Sequence, residues 1–114
     1  MTPENYEHMV LLAERYEARV RQVLAKNELP WHVTRIGARI EYLFLPHPPR
    51  NGGEVHRGRN ALLEACIHLF LLNRGVLPTP FHNMALMCPF TESGDVDLHG
   101  CLPDECLAEL RALG

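Results

Sequence analysis

Seven histidines and four cysteines are the side chains in this sequence that could ligate a metal or act as nucleophiles. Their spacing argues against both chemistries. Cys66 and His68 are two apart, as are His99 and Cys101, and residues two apart on a helix point to different sides. His82 and Cys88 are six apart, and no pair has zinc-finger or HExxH spacing, so no metal site is expected. Cys88 stands in an apolar run and reads as inert core, not as a thiolate paired with a histidine. With no CxxC pair among Cys66, Cys88, Cys101 and Cys106, reduced and mostly buried thiols are expected. A lysine that forms Schiff bases needs a desolvated site. The single lysine, Lys26, falls at the polar end of a helix and reads as a solvated surface group. Arg35 and Arg39 flank Gly37 between two strands. They could grip a carboxylate bidentately or simply face solvent. Arg50, Arg57 and Arg59 make a locally basic loop, which reads as solvated.

One further stretch could bind a ligand. In "LLNRGVLPTPFHNMALMCP", residues 71–89, two prolines and the pair His82-Asn83 interrupt one of the most apolar regions of the chain. Prolines cannot donate to a central ladder and belong at strand ends or edges. Two short strands are therefore expected, Val76-Leu77 and Ala85–Cys88, joined by "PFHNM". Polar residues on a loop anchored by rigid elements often bind ligands. The alternative is a plain hairpin turn in which Asn83 adopts a left-handed conformation.

The elements that must position these residues follow from periodicity. Residues 3–27 form an amphipathic helix with Thr2 as N-cap, Pro3 in the first position and Asn27 as a left-handed end. Residues 31–45 read as two strands around Gly37, which is a tight turn or a bulge. In the second strand Ala38, Ile40, Tyr42 and Phe44 share one face, and Arg39 and Glu41 the other. Residues 46–59 are rich in Pro and Gly and read as a long surface loop. Residues 60–74 form a helix capped by Asn60, ended by Gly75 and apolar around most of its circumference, so burial on more than one side is expected. A last helix spans about 92–112, capped by Thr91 or Ser93, with a kink or break at Pro103. This order predicts one domain over residues 1–114, of α+β class (an α/β layer), with a small three- to four-stranded sheet carrying about three helices.

Composition narrows the function classes. Hydrophobic residues make up 46% and charged residues 22%, which suits a folded domain. A net charge of −3, mixed along the chain, gives no nucleic-acid footprint. No apolar run reaches the ~18–20 residues of a membrane span. "MTPENYEHM" has no basic segment followed by an apolar one, so no signal peptide and a cytoplasmic location are expected.

Three segments, "LPWHVTRIGARIEYLF", "HLFLLNRGVLPTPFHNMALMCP" and "TESGDVDLHGCLPDECLAEL", together resemble the C-terminal small domain of class III, fold-type I aminotransferases, which use pyridoxal phosphate. The glutamate-1-semialdehyde aminomutase-like members are the most similar. The resemblance runs from the first helix to Leu110. It implies a small domain packed on a large cofactor-binding domain, with Thr79, Phe81, His82, Asn83 and Met84 at the substrate entrance and Arg35 and Arg39 as carboxylate contacts. It implies pyridoxal phosphate for the full-length family but no cofactor or catalytic residue within this chain, which is expected not to transaminate alone. No acid occurs between Glu64 and Glu92, so the loop glutamate of the aminomutases has no counterpart here. A domain without its partner would expose an apolar face. A homo-oligomer or a stand-alone interaction module is the rival expectation.

Overall fold

The computed structural model describes residues 1–79 and 82–114. Helix α1, Pro3–Lys26, starts where the Thr2 hydroxyl accepts a hydrogen bond from the Asn5 N–H at 3.2 Å. Its apolar stripe, from Met9 through Tyr16 to Leu24, is buried. Asn27 closes the helix with φ −92°, and the left-handed residue is Glu28, at φ 54°. Asn27 instead spends its side chain on capping: Nδ2 donates to the Val23 carbonyl at 2.8 Å and to Asp104 at 3.0 Å.

Strands β1, His32–Ile36, and β2, Arg39–Leu43, pair antiparallel with Ile36 opposite Arg39. Only Gly37 and Ala38 lie between them, so the connection is a tight turn, with Gly37 at φ 57°. Strand β3, Met84–Leu86, adds antiparallel to the other edge of β2, and the sheet order is β1-β2-β3. Val33, Ile40, Tyr42, Ala85 and Met87 are buried on the inner side against α1. Thr34, Ile36, Arg39, Glu41, Met84 and Leu86 alternate to the outer face, where Ile36 and Leu86 are exposed.

Three expectations for the middle of the chain also need correction. Residues 46–59 contain a short helix, α2, Gly52–Arg57. The Asn51 side chain accepts from the Glu54 N–H, and Glu54 pairs with Arg50 at 2.7 Å, so local polar contacts give this segment order that its Pro and Gly content conceals. Val76-Leu77 forms no strand. Gly75, at φ 87°, lets the Val76 N–H donate back to the Leu71 carbonyl, which uses this segment to finish helix α3, Ala61–Leu72. Helix α3 itself buries only Ile67 and Leu71, while Leu62, Leu69 and Leu72 are exposed.

Helix α4, Ser93–Leu113, is capped at Glu92, whose N–H donates to Asp95 at 2.9 Å. It runs through Pro103 without interruption. Val96, Gly100, Leu102 and Cys106 are its buried residues, and it packs on α1 and α3. The described residues form the expected α+β arrangement, with three strands and four helices.

Candidate functional site

The last residues of the loop are pinned by the sheet. The Tyr42 N–H donates to the Asn83 carbonyl at 3.1 Å, and Met84 stands opposite Glu41 in the ladder. This register brings His82 onto the outer face, with Nδ1 at 3.1 Å from Glu41 Oε1. Arg39 completes the row: its Nη2 is 2.6 Å from Glu41 Oε2, and its Nε lies 2.7 Å from the Met84 sulfur. Glu41 is thus a half-buried carboxylate with one oxygen on a guanidinium and the other on an imidazole.

His82 and Asn83 line two cavities. The larger, about 350 Å³, is lined among others by Tyr16, Tyr42, His68, Thr79 and His99. The smaller, about 280 Å³, opens toward α2 and is lined by Glu41, His56, Arg59 and Glu64. The larger cavity shares Arg59 and Glu64 with the smaller one, and its tyrosines and His99 are neutral groups. Burial pushes His99 down to about 4 and pushes the Tyr16 and Tyr42 hydroxyls up. Tyr16 Oη and His99 Nε2 are hydrogen-bonded at 3.0 Å. His68 Nδ1 is buried without a hydrogen-bond partner among the described residues. In the smaller cavity Glu64 is paired with Arg59 at 2.9 Å.

Of the residues singled out from sequence, His82, Asn83, Met84 and Arg39 come together, and Thr79 lines the larger cavity. Phe81 lies outside the described residues. Arg35 is turned toward α1, with Nε at 2.6 Å from Glu17 and Nη2 at 3.4 Å from Glu14. Glu41 is named from sequence only for its strand face, and His68 and His99 only as rejected metal ligands. Glu41 shares a strand face with Arg39, and that alternation was the available signal. The thiols also differ from expectation: only Cys106 is buried, and Cys88 and Cys101 are exposed. A hydrogen bond from the Thr91 hydroxyl lowers the Cys88 thiol below its ordinary range.

Among the described residues, neither the lysine nor the glycine-rich segment weighed from the sequence is arranged to hold pyridoxal phosphate. Lys26 is exposed, and its ammonium is held by Asp104 at 2.6 Å. The start of α2, after the glycines of "NGGE", is occupied by the Asn51 oxygen and the Glu54 carboxylate, which would repel a phosphate. Among the described residues no group of three His, Cys, Asp or Glu side chains is gathered for a metal, and no helix is long and apolar enough to cross a membrane.

No family model matches the chain. Known proteins do. A glutamate-1-semialdehyde-aminomutase from Pseudomonas aeruginosa PAO1 has 64% identity over 96% of this chain and 24% of its own, with a TM-score of 0.94. This chain is homologous to the glutamate-1-semialdehyde aminomutases. A second aminomutase, glutamate-1-semialdehyde 2,1-aminomutase 1 of Macrococcus caseolyticus, is 31% identical over 81% of this chain and 22% of its own length. An omega-transaminase from Sphaerobacter thermophilus, at 21% identity and a TM-score of 0.78, shares the fold. The aminomutase-like chain therefore spans about a quarter of the length of these relatives.

Proposed function

We propose that this chain is the C-terminal small domain of a pyridoxal-phosphate-dependent aminomutase- or aminotransferase-like protein and forms part of its substrate entrance. The cofactor and its lysine belong to a large domain outside this chain. The observation that carries the reading is the placement of His82, Asn83 and Met84. His82 and Met84 lie on the outer face of the sheet beside Arg39 and Glu41, and His82 and Asn83 line two cavities. Clefts with a few convergent polar groups are the usual form of a ligand site. The domain shapes and orients there, and the large domain supplies the bond-making chemistry.

The test is steady-state kinetics of the complete protein bearing His82→Ala or Asn83→Ala. A several-fold rise in KM with an unchanged cofactor absorbance spectrum is expected. Unchanged KM in both variants would remove the entrance role.

A second reading rests on α3. Leu62, Leu69 and Leu72 form an exposed apolar stripe on a helix, and such faces drive association. On this reading the chain is a dimerisation or protein-interaction module without catalysis. Light scattering after size exclusion distinguishes the two: a dimer that Leu69→Glu converts to monomer supports association, and a monomer at high concentration opposes it.

A further inference from the structure

We infer that the Arg39–Glu41 pair fixes the His82 imidazole as its Nδ1–H tautomer and so presents Nε2 as a hydrogen-bond acceptor to an amine or hydroxyl group of a ligand. Nδ1 of His82 lies 3.1 Å from Glu41 Oε1. An ionised carboxylate can only accept, so the hydrogen of that contact belongs to Nδ1. A neutral imidazole has one N–H, which leaves the lone pair on Nε2. Free histidine side chains in water favour the opposite tautomer, so the arrangement is imposed by the fold.

Glu41 is well placed to impose it. It sits in β2, the central strand, paired on one side with Thr34 and on the other with Met84. Its side chain is only 17% exposed, and its second oxygen is taken by Arg39 at 2.6 Å. The Arg39 charge is thereby compensated, and what this face holds out toward ligand is the imidazole, with a side chain 55% exposed. Nε2 has no hydrogen-bond partner among the described residues. The nearby carboxylate of Glu64 is committed to Arg59. Glu41 is a positioning residue on this account: it touches the imidazole, and the imidazole touches the ligand.

The ligand part of the inference rests on the entrance reading; the tautomer does not. Long-range proton–nitrogen correlation spectra of the ¹⁵N-labelled protein at pH 8, without ligand, report which ring nitrogen carries the hydrogen. His82 is expected to show a protonated Nδ1 and a bare Nε2, and Glu41→Gln is expected to shift it toward the Nε2–H form. A dominant Nε2–H form in the unaltered protein would overturn the proposal with no variant required. A tautomer ratio that Glu41→Gln leaves unchanged, in a protein whose remaining spectrum shows it folded, would overturn the role of Glu41. In the complete protein, Glu41→Gln is expected to raise KM several-fold with a smaller change in kcat. If the tautomer shifts and KM does not, the ligand-facing role of Nε2 is overturned, while the entrance reading still stands on the Asn83→Ala result.

Discussion

The hydroxyl of Tyr16 in α1 and Nε2 of His99 in α4 are 3.0 Å apart, their rings stacked at an angle with centroids 4.6 Å apart. Burial holds His99 neutral, with its pKa lowered from 6.5 to about 4. A histidine whose folded pKa is depressed favours the unfolded chain once that chain binds the proton. Its contribution is complete above pH 6.5 and is lost as pH falls toward 4. A shift of this size corresponds to about 3 kcal/mol. The lowered carboxyls of Glu17, Asp97 and Asp104 begin to lose their contribution only near their ordinary values of 4.5 and 3.8, so most of the His99 loss comes before theirs. Urea unfolding at pH 7.5 and 4.5 is expected to show a marked loss in the unaltered protein and a much smaller one in His99→Gln. Tyr16→Phe leaves the His99 nitrogen unpaired and is expected to cost about 1–3 kcal/mol at pH 7.5.

His68 makes the opposite case. Its Nδ1 is buried and unpartnered among the described residues, in a cavity with mostly apolar walls. A buried polar atom without a partner costs about 1–3 kcal/mol. His68→Leu removes that atom and keeps an apolar body of similar size. A stability gain of about 1 kcal/mol is expected from the urea midpoint, and a loss would show that His68 has a partner in solution.

Much of this fold was legible, because much of it is local. The α1 stripe, the Thr2 and Asn60 caps and the Gly75 helix end depend on residues a few positions apart. The site was legible only in part. His82, Asn83 and Arg39 could be named, but Glu41 meets His82 across 41 residues, and that meeting exists only once β3 sets Met84 opposite Glu41. Cys88 shows the same limit. It ends an apolar run, yet β3 stops at Leu86, so the thiol turns outward to Thr91. Pro103 shows another. Leu102 and Cys106 are buried on either side of it, and Asp97 and Asp104 pair with α1, so tertiary contacts flank a residue that favours a break.

Glu17 ties α1 to the sheet. Burial pushes its carboxyl up, but the hydrogen bonds and charges of Arg21 and Arg35 outweigh this and hold it below its ordinary range. Arg35 Nε is 2.6 Å away, and both side chains of that pair are mostly covered, at 27% and 19% exposure. Removing one partner of a half-buried pair strands the other. Glu17→Ala is expected to cost about 1–2 kcal/mol, more than an exposed pair would. A double-mutant cycle with Arg35→Ala should return a coupling near 1 kcal/mol, and a coupling of zero would assign the cost to Arg21 alone.

Gly100 sets how closely α4 approaches α1. It is buried, and a Cβ built there would stand 2.7 Å from Arg19 Cγ and 3.3 Å from Arg19 Cβ. Cγ moves with χ1, so relief requires another Arg19 rotamer on a partly covered face, and the contact to Cβ stays tight unless α1 and α4 separate slightly. Glycine in a helix interior costs up to about 1 kcal/mol relative to alanine. Overpacking a close seam costs about 1–3 kcal/mol, and the second effect is the larger. Gly100→Ala is therefore expected to lower thermal stability despite its better helix propensity. In an Arg19→Ala background the clashing Cγ is gone, and the same substitution should become close to neutral. Equal losses in the two backgrounds would mean that Arg19 is not what holds position 100 to glycine.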